Sequence, residues 1–86
     1  MQNLTPYAAA QVANKVFELK GLNASITPQM MYGYARNQRI ETVPDSKPVQ
    51  FVGDAFKEWL DQYVKKIETG ETTTRTDFDK LAAEFV

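Results

Sequence analysis

One side of a helix would collect Gln29, Tyr32, Gly33 and Arg36, because they recur at the spacing i, i+3, i+4 and i+7. An arginine side chain can donate two parallel hydrogen bonds to guanine or hold a phosphate, and a glutamine can pair with adenine. Tyr32 can contact a phosphate or a thymine methyl group, and Gly33 would let a partner approach the helix backbone closely. These residue types indicate recognition by hydrogen bonding.

Catalytic and metal-binding chemistry has little support in the sequence. The chain has 86 residues and contains neither histidine nor cysteine, which makes a structural zinc site improbable and rules out disulfides. No glycine-rich phosphate loop is present, and the carboxylates fall on the outer faces of predicted helices. We therefore expect a protein that is not an enzyme and that needs no cofactor and no small-molecule ligand.

Charge is distributed unevenly along the chain. Residues 1–47 carry five basic and three acidic side chains, whereas residues 48–86 carry five basic and eight acidic ones, for a net charge of −1. A neutral total argues against non-specific binding to a polyanion, but the basic excess in the first half is compatible with a small surface that faces one.

Two helices that begin with the same sequence signal must position the set Gln29, Tyr32, Gly33 and Arg36. Thr5-Pro6 and Thr27-Pro28 each combine a capping side chain with proline at the first helical position. The first helix should end near Lys20, because Gly21 suits the position after a helix C-cap. Residues 21–26 read as a turn. The second helix should cover residues 28–37, with an inward face of Met31, Tyr34 and Ala35.

The rest of the chain predicts a β-hairpin and two further helical segments. Strand-like residues at 40–42 and 49–52 flank a turn-rich segment with two prolines.

A third helix should begin near Gly53-Asp54, either of which can cap it. Its apolar stripe is the most regular in the chain and consists of Phe56, Trp59, Leu60, Tyr63, Val64 and Ile67. We expect one domain over residues 1–68, a linker over 69–76, and a short amphipathic helix over 77–86 with Phe78, Leu81, Ala82 and Phe85 on one face.

Residues 4–13 and 26–40 resemble the first two helices of MerR-like winged helix-turn-helix proteins, and the Trp59-Leu60 helix matches the one that follows the wing. The likeness is greatest to the small excisionases, or recombination directionality factors, of phages of actinobacteria. It implies a mainly α-helical fold with a small β-hairpin as wing. It also implies a protein that binds repeated DNA sites side by side with cooperative self-association, bends the DNA and directs an integrase toward excision.

The sequence departs from that family in three places, namely the start of the wing, the turn between the first two helices and the turn of the wing. Gln38-Arg39 stands where family members usually carry glycine, the turn at residues 21–26 is longer than usual, and the wing turn contains Asp45 and a single lysine. The candidate DNA-binding residues are Thr27, Gln29, Met30, Tyr32, Gly33, Arg36, Asn37, Arg39, Ser46 and Lys47.

Two other functions remain open at this point. A transcriptional repressor could have the same fold, and a protein-interaction module could use residues 29–36 and 78–85 to bind proteins without DNA. No apolar run approaches the length that spans a membrane, and the first residues lack the pattern of a signal peptide, so we expect a cytoplasmic protein, in a bacterial host cell if a phage encodes it.

Overall fold

The first helix, α1, covers Pro6–Leu19 and begins where the Thr5-Pro6 signal predicts. The Thr5 hydroxyl oxygen accepts a hydrogen bond from the Ala8 amide at 3.2 Å. At the other end Gly21 takes a φ of 68°, and the amide of Leu22 donates to the Phe17 carbonyl at 2.8 Å. This pattern is a Schellman motif, in which glycine is favoured because a left-handed backbone is costly for other residues. The predicted ends of this helix are confirmed.

The computed structural model describes residues 1–70 and residues 82, 83, 85 and 86. A second helix, α2, covers Pro28–Arg36, and the Thr27 hydroxyl oxygen accepts from the Met30 amide at 3.2 Å. It ends in the same motif as α1, with the Arg39 amide donating to the Tyr34 carbonyl at 2.9 Å. The left-handed position is here filled by Gln38, with a φ of 54°.

The third helix, α3, covers Gly53–Glu68 and begins where the sequence predicts, but its cap differs from the prediction. The N-cap is Val52, not Gly53 or Asp54, and it makes no capping hydrogen bond with its side chain. The Asn3 side chain, 50 residues earlier, instead accepts from the Gly53 amide at 3.0 Å. A Cβ atom at Gly53 would collide with the backbone oxygens of Met1 and Gln2, so glycine is required for the N-terminal segment to lie this close.

The predicted β-hairpin is wrong in its strands, because residues 1–70 contain no β-strand and only isolated bridges. One antiparallel bridge joins Thr42 to Phe51, and a second joins Leu4 to Phe51. Pro44 and Pro48 have no amide hydrogen to donate, which leaves few ladder bonds for the segment to form. The segment is therefore a loop whose two ends are joined by the Thr42–Phe51 bridge. The described part of the chain is mainly α-helical.

The core lies where α1, α2 and α3 meet the loop. Small residues of α1, Ala9, Ala10 and Ala13, are fully buried, and they let α2 pack closely against this helix. In the described part of the chain the core also includes the apolar residues Leu4, Phe17, Ile26, Met31, Ile40, Phe51, Phe56, Leu60 and Val64. Complete burial of a phenylalanine side chain contributes about 1.5–3 kcal/mol. The third-helix stripe thus takes the inward positions that its spacing predicts.

Aromatic rings connect α2 to α3 beside this core. The ring centroid of Trp59 lies 5.2 Å from that of Tyr34 and 4.9 Å from that of Tyr63. Such pairs contribute about 0.5–1.5 kcal/mol beyond the area that they bury. Tyr34 therefore holds the inner side of α2 in place.

The predicted helix over residues 77–86 lies mostly outside the described residues. Of its apolar face, Ala82 and Phe85 are described, and both are exposed. Within the described ranges, no helix combines the length and the apolar character needed to cross a lipid bilayer.

Candidate nucleic-acid interface

A side-chain clamp fixes the turn between α1 and α2. The Asn14 amide nitrogen donates to the Ile26 carbonyl at 2.9 Å, and the Ile26 amide donates to the Asn14 side-chain oxygen at 2.8 Å. Ile26 itself is buried and directly precedes Thr27, the N-cap of α2. The start of α2 is therefore tied to the middle of α1.

The two sides of α2 divide as the spacing predicts. Met31 is completely buried, and Tyr34 and Ala35 are partly buried against the core. Gln29 and Arg36 are exposed, and the Tyr32 side chain is 44% exposed. We call the set Gln29, Tyr32, Gly33 and Arg36 the outer face of α2. The structure places these four residues on one surface, next to the exposed Asn37 and Arg39.

Two of the remaining candidates on α2 are occupied by the fold. The Thr27 hydroxyl oxygen already accepts the capping hydrogen bond from Met30. The Met30 side chain is partly buried and packs against the core, so little of it is available to a partner. Their contribution to the site is to begin and support α2.

Ser46 and Lys47 lie outside α2, in the loop between the residues of the Thr42–Phe51 bridge. The Ser46 hydroxyl donates to the Pro48 carbonyl at 2.6 Å, so its proton is used within the loop. Lys47 is exposed. Within residues 1–70 no hydrogen bond or ion pair joins these two residues to the outer face of α2.

The chain segment that contains α2 carries only positive formal charge. Residues 19–40 include Lys20, Arg36 and Arg39 and no aspartate or glutamate. Ion pairs in the described part of the chain join the Met1 amino group to Asp54 at 3.0 Å and Lys15 to Glu18 at 3.6 Å. Neither arginine of the α2 region takes part in them, so both guanidinium groups are available to an anionic partner.

Other kinds of site find no support among the described residues. No group of three or more histidine, cysteine, aspartate or glutamate side chains there could hold a metal ion. Every buried side-chain nitrogen and oxygen in those residues has a hydrogen-bond partner. The candidate binding surface is the outer face of α2.

Reasoning from sequence missed Asn14 and Asn3, the two asparagines that hold elements in place. The one available signal for Asn14 was a polar residue directly after Ala13, which lies on the buried side of α1. Nothing in the local pattern around Asn3 points to a helix that begins 50 residues later.

Comparisons with models of known protein families, with curated protein sequences and with solved structures found no match to this chain.

Proposed function

We propose that this chain binds double-stranded DNA and that α2 is its recognition helix. The observation that carries the proposal is the division of α2 into a buried side, anchored by Met31, and an outer face of polar and basic side chains. A helix that follows another after a fixed turn, with its outer side exposed, is the arrangement that places a recognition helix in the major groove.

The chemistry of the outer face fits base recognition. Gln29 stands in the first turn of α2, the end that usually points at base edges in this kind of complex. Its amide suits adenine, and the Arg36 guanidinium suits the two acceptors of guanine. Arg39, just past the helix end, suits a phosphate group and would orient the duplex without reading its sequence.

Electrostatics supports a modest, local attraction. Arg36, Arg39 and Lys47 are exposed cations on α2 and on the following loop. Because Arg36 is assigned to a base, phosphate contacts by Arg39 and Lys47 predict a slope of about −2 when log affinity is plotted against log salt concentration. Non-specific affinity should therefore be weak, and specificity must come from the outer face.

The loop over residues 43–50 would act as the wing of a winged helix-turn-helix in this proposal. Lys47 would touch the DNA backbone there, while Asp45 limits the attraction. The resemblance to small excisionases extends the proposal to repeated sites bound side by side, bending of the DNA and an integrase partner. A repressor with the same fold would use the same face of α2.

A protein-interaction module is the second candidate function. It is favoured by the acidic excess of residues 48–86 and the net charge of −1, which lower the attraction between the whole molecule and DNA. The exposed Leu19 side chain, at the end of α1, would belong to such a surface.

Selection from a random-sequence duplex library, followed by fluorescence anisotropy titration at several salt concentrations, tests the proposal. Arg36→Ala should weaken binding to the selected duplex by about 1–3 kcal/mol and relax specificity at one base position. Lys66→Ala is the matched control, because it removes the same charge from an exposed position at the end of α3. A folded chain that selects no duplex and shows no binding at low salt contradicts the proposal and favours the interaction module.

A further inference from the structure

Three of the four glycines in the chain have a reason within the fold. Gly21 and Gly70 take positive φ angles of 68° and 78°, which other residues adopt only at a cost. Gly53 leaves room for the backbone of Met1 and Gln2. Each of the three would be strained by a side chain.

Gly33 has no such reason in the part of the chain that the structure describes. It lies in the middle of α2, and a Cβ atom built there would meet no atom within 4 Å. Glycine is among the poorest helix formers, so alanine at this position would make the free protein more stable. Within the described residues the fold therefore gives no benefit to glycine at this position.

The surroundings of Gly33 show where such a benefit would arise. Gln29, Tyr32 and Arg36 are its neighbours on the outer face, four residues before, one before and three after it. Gly33 is partly exposed and carries no side chain, so no side chain covers the helix backbone at this position. An α-helix is about 10–12 Å across with its side chains, and the major groove is about 12 Å wide, so a helix in this groove has almost no spare space.

We infer that DNA comes into van der Waals contact with the backbone of α2 at Gly33, which makes this residue the point of closest approach in the complex. The inference rests on the proposed function. It adds that steric fit limits the contact. Glycine at position 33 lowers the stability of the free protein, and it allows α2 to enter the groove more deeply.

The test measures stability and affinity on the same variants. Gly33→Ala should raise the Tm by about 4–8 °C, the usual effect of removing a helical glycine from a domain of this size. The same variant should bind the selected duplex about tenfold more weakly, which corresponds to about 1.4 kcal/mol, and Gly33→Leu more weakly still. Gln62→Leu, a change at an exposed position of α3, controls for added apolar surface and should leave affinity unchanged.

The outcomes separate the inference from the proposed function. Unchanged affinity of Gly33→Ala for a duplex that the wild-type chain binds overturns the inference alone. A lower Tm for Gly33→Ala also overturns it, since the glycine would then serve the fold. A wild-type chain that binds no duplex contradicts the proposed function, and the inference falls with it.

Discussion

Asn14 and Ile26 are paired as two residues of neighbouring β-strands are paired, although one of the partners is a side chain. The side-chain amide of Asn14 donates to the Ile26 carbonyl at 2.9 Å and accepts from the Ile26 backbone amide at 2.8 Å. The pair closes the turn between α1 and α2 and fixes where α2 begins. Orientation of the outer face of α2 thus depends on a residue that does not belong to α2.

Removal of this clamp should lower the stability of the chain. Asn14→Ala leaves the amide and carbonyl of Ile26 partly buried without their partner, and we expect the free energy of unfolding to fall by about 1–3 kcal/mol. Urea denaturation measures this, with Gln11→Ala at an exposed position of α1 as control. Equal midpoints for Asn14→Ala and the control would show that the clamp does not hold the turn.

The end of α2 offers a stabilising substitution. Gln38 has a φ of 54°, and the left-handed conformation costs a residue other than glycine about 1–2 kcal/mol. Gln38→Gly relieves that cost and loses part of it to the greater freedom of glycine in the unfolded chain, so we expect a net gain of about 0.5–1 kcal/mol. Asn37→Gly is the matched control, because Asn37 has a φ of −89° and needs no glycine. A gain at position 37 equal to that at 38 would exclude the backbone explanation.

The two glycines inside helices should respond in opposite directions to alanine. A methyl group at Gly53 would collide with the backbone of the N-terminal segment, which must then move, and overpacking of this kind costs about 1–3 kcal/mol. Gly33→Ala meets open space and should stabilise the chain. Thermal unfolding of both variants checks this, and destabilisation by both would mean that the space around Gly33 is filled in solution.

Two tyrosines lie on different sides of α2, one packed on the core and one on the outer face. Tyr34 packs on Trp59 with a centroid distance of 5.2 Å, whereas the side chain of Tyr32 is 44% exposed. Tyr34→Ala should cost about 2–3 kcal/mol of stability, less than a fully buried aromatic residue would. Tyr32→Ala should stay within about 0.5 kcal/mol of the wild type, as exposed substitutions usually do, and should weaken binding to the selected duplex. The reverse order of stabilities would invalidate the assignment of the two sides.

Helix positions were accessible from the sequence because their signals are local. Thr5-Pro6 and Thr27-Pro28 mark the starts of α1 and α2, and Gly21 marks the end of α1. The apolar spacing also separates Met31 from Arg36 correctly, because it depends only on the helical repeat.

Contacts between segments that are far apart in the sequence could not be predicted from local signals. The cap of α3 comes from Asn3, so the local candidates Gly53 and Asp54 were misleading. The predicted hairpin is reduced to one antiparallel bridge between Thr42 and Phe51, without β-strands among the described residues. Phe51 forms bridges both with Thr42 and with Leu4, a partner from the other end of the domain, and the prolines at 44 and 48 leave little backbone for a ladder.

Titration of the isotopically labelled chain with the selected duplex, followed by amide NMR spectra, shows directly whether DNA contacts α2. We predict that the largest shifts fall on residues 27–39, with smaller ones at residues 45–47 and little change in α3. Saturable shifts that concentrate on α3, with α2 unaffected, would contradict the claim that the outer face of α2 is the DNA-binding surface.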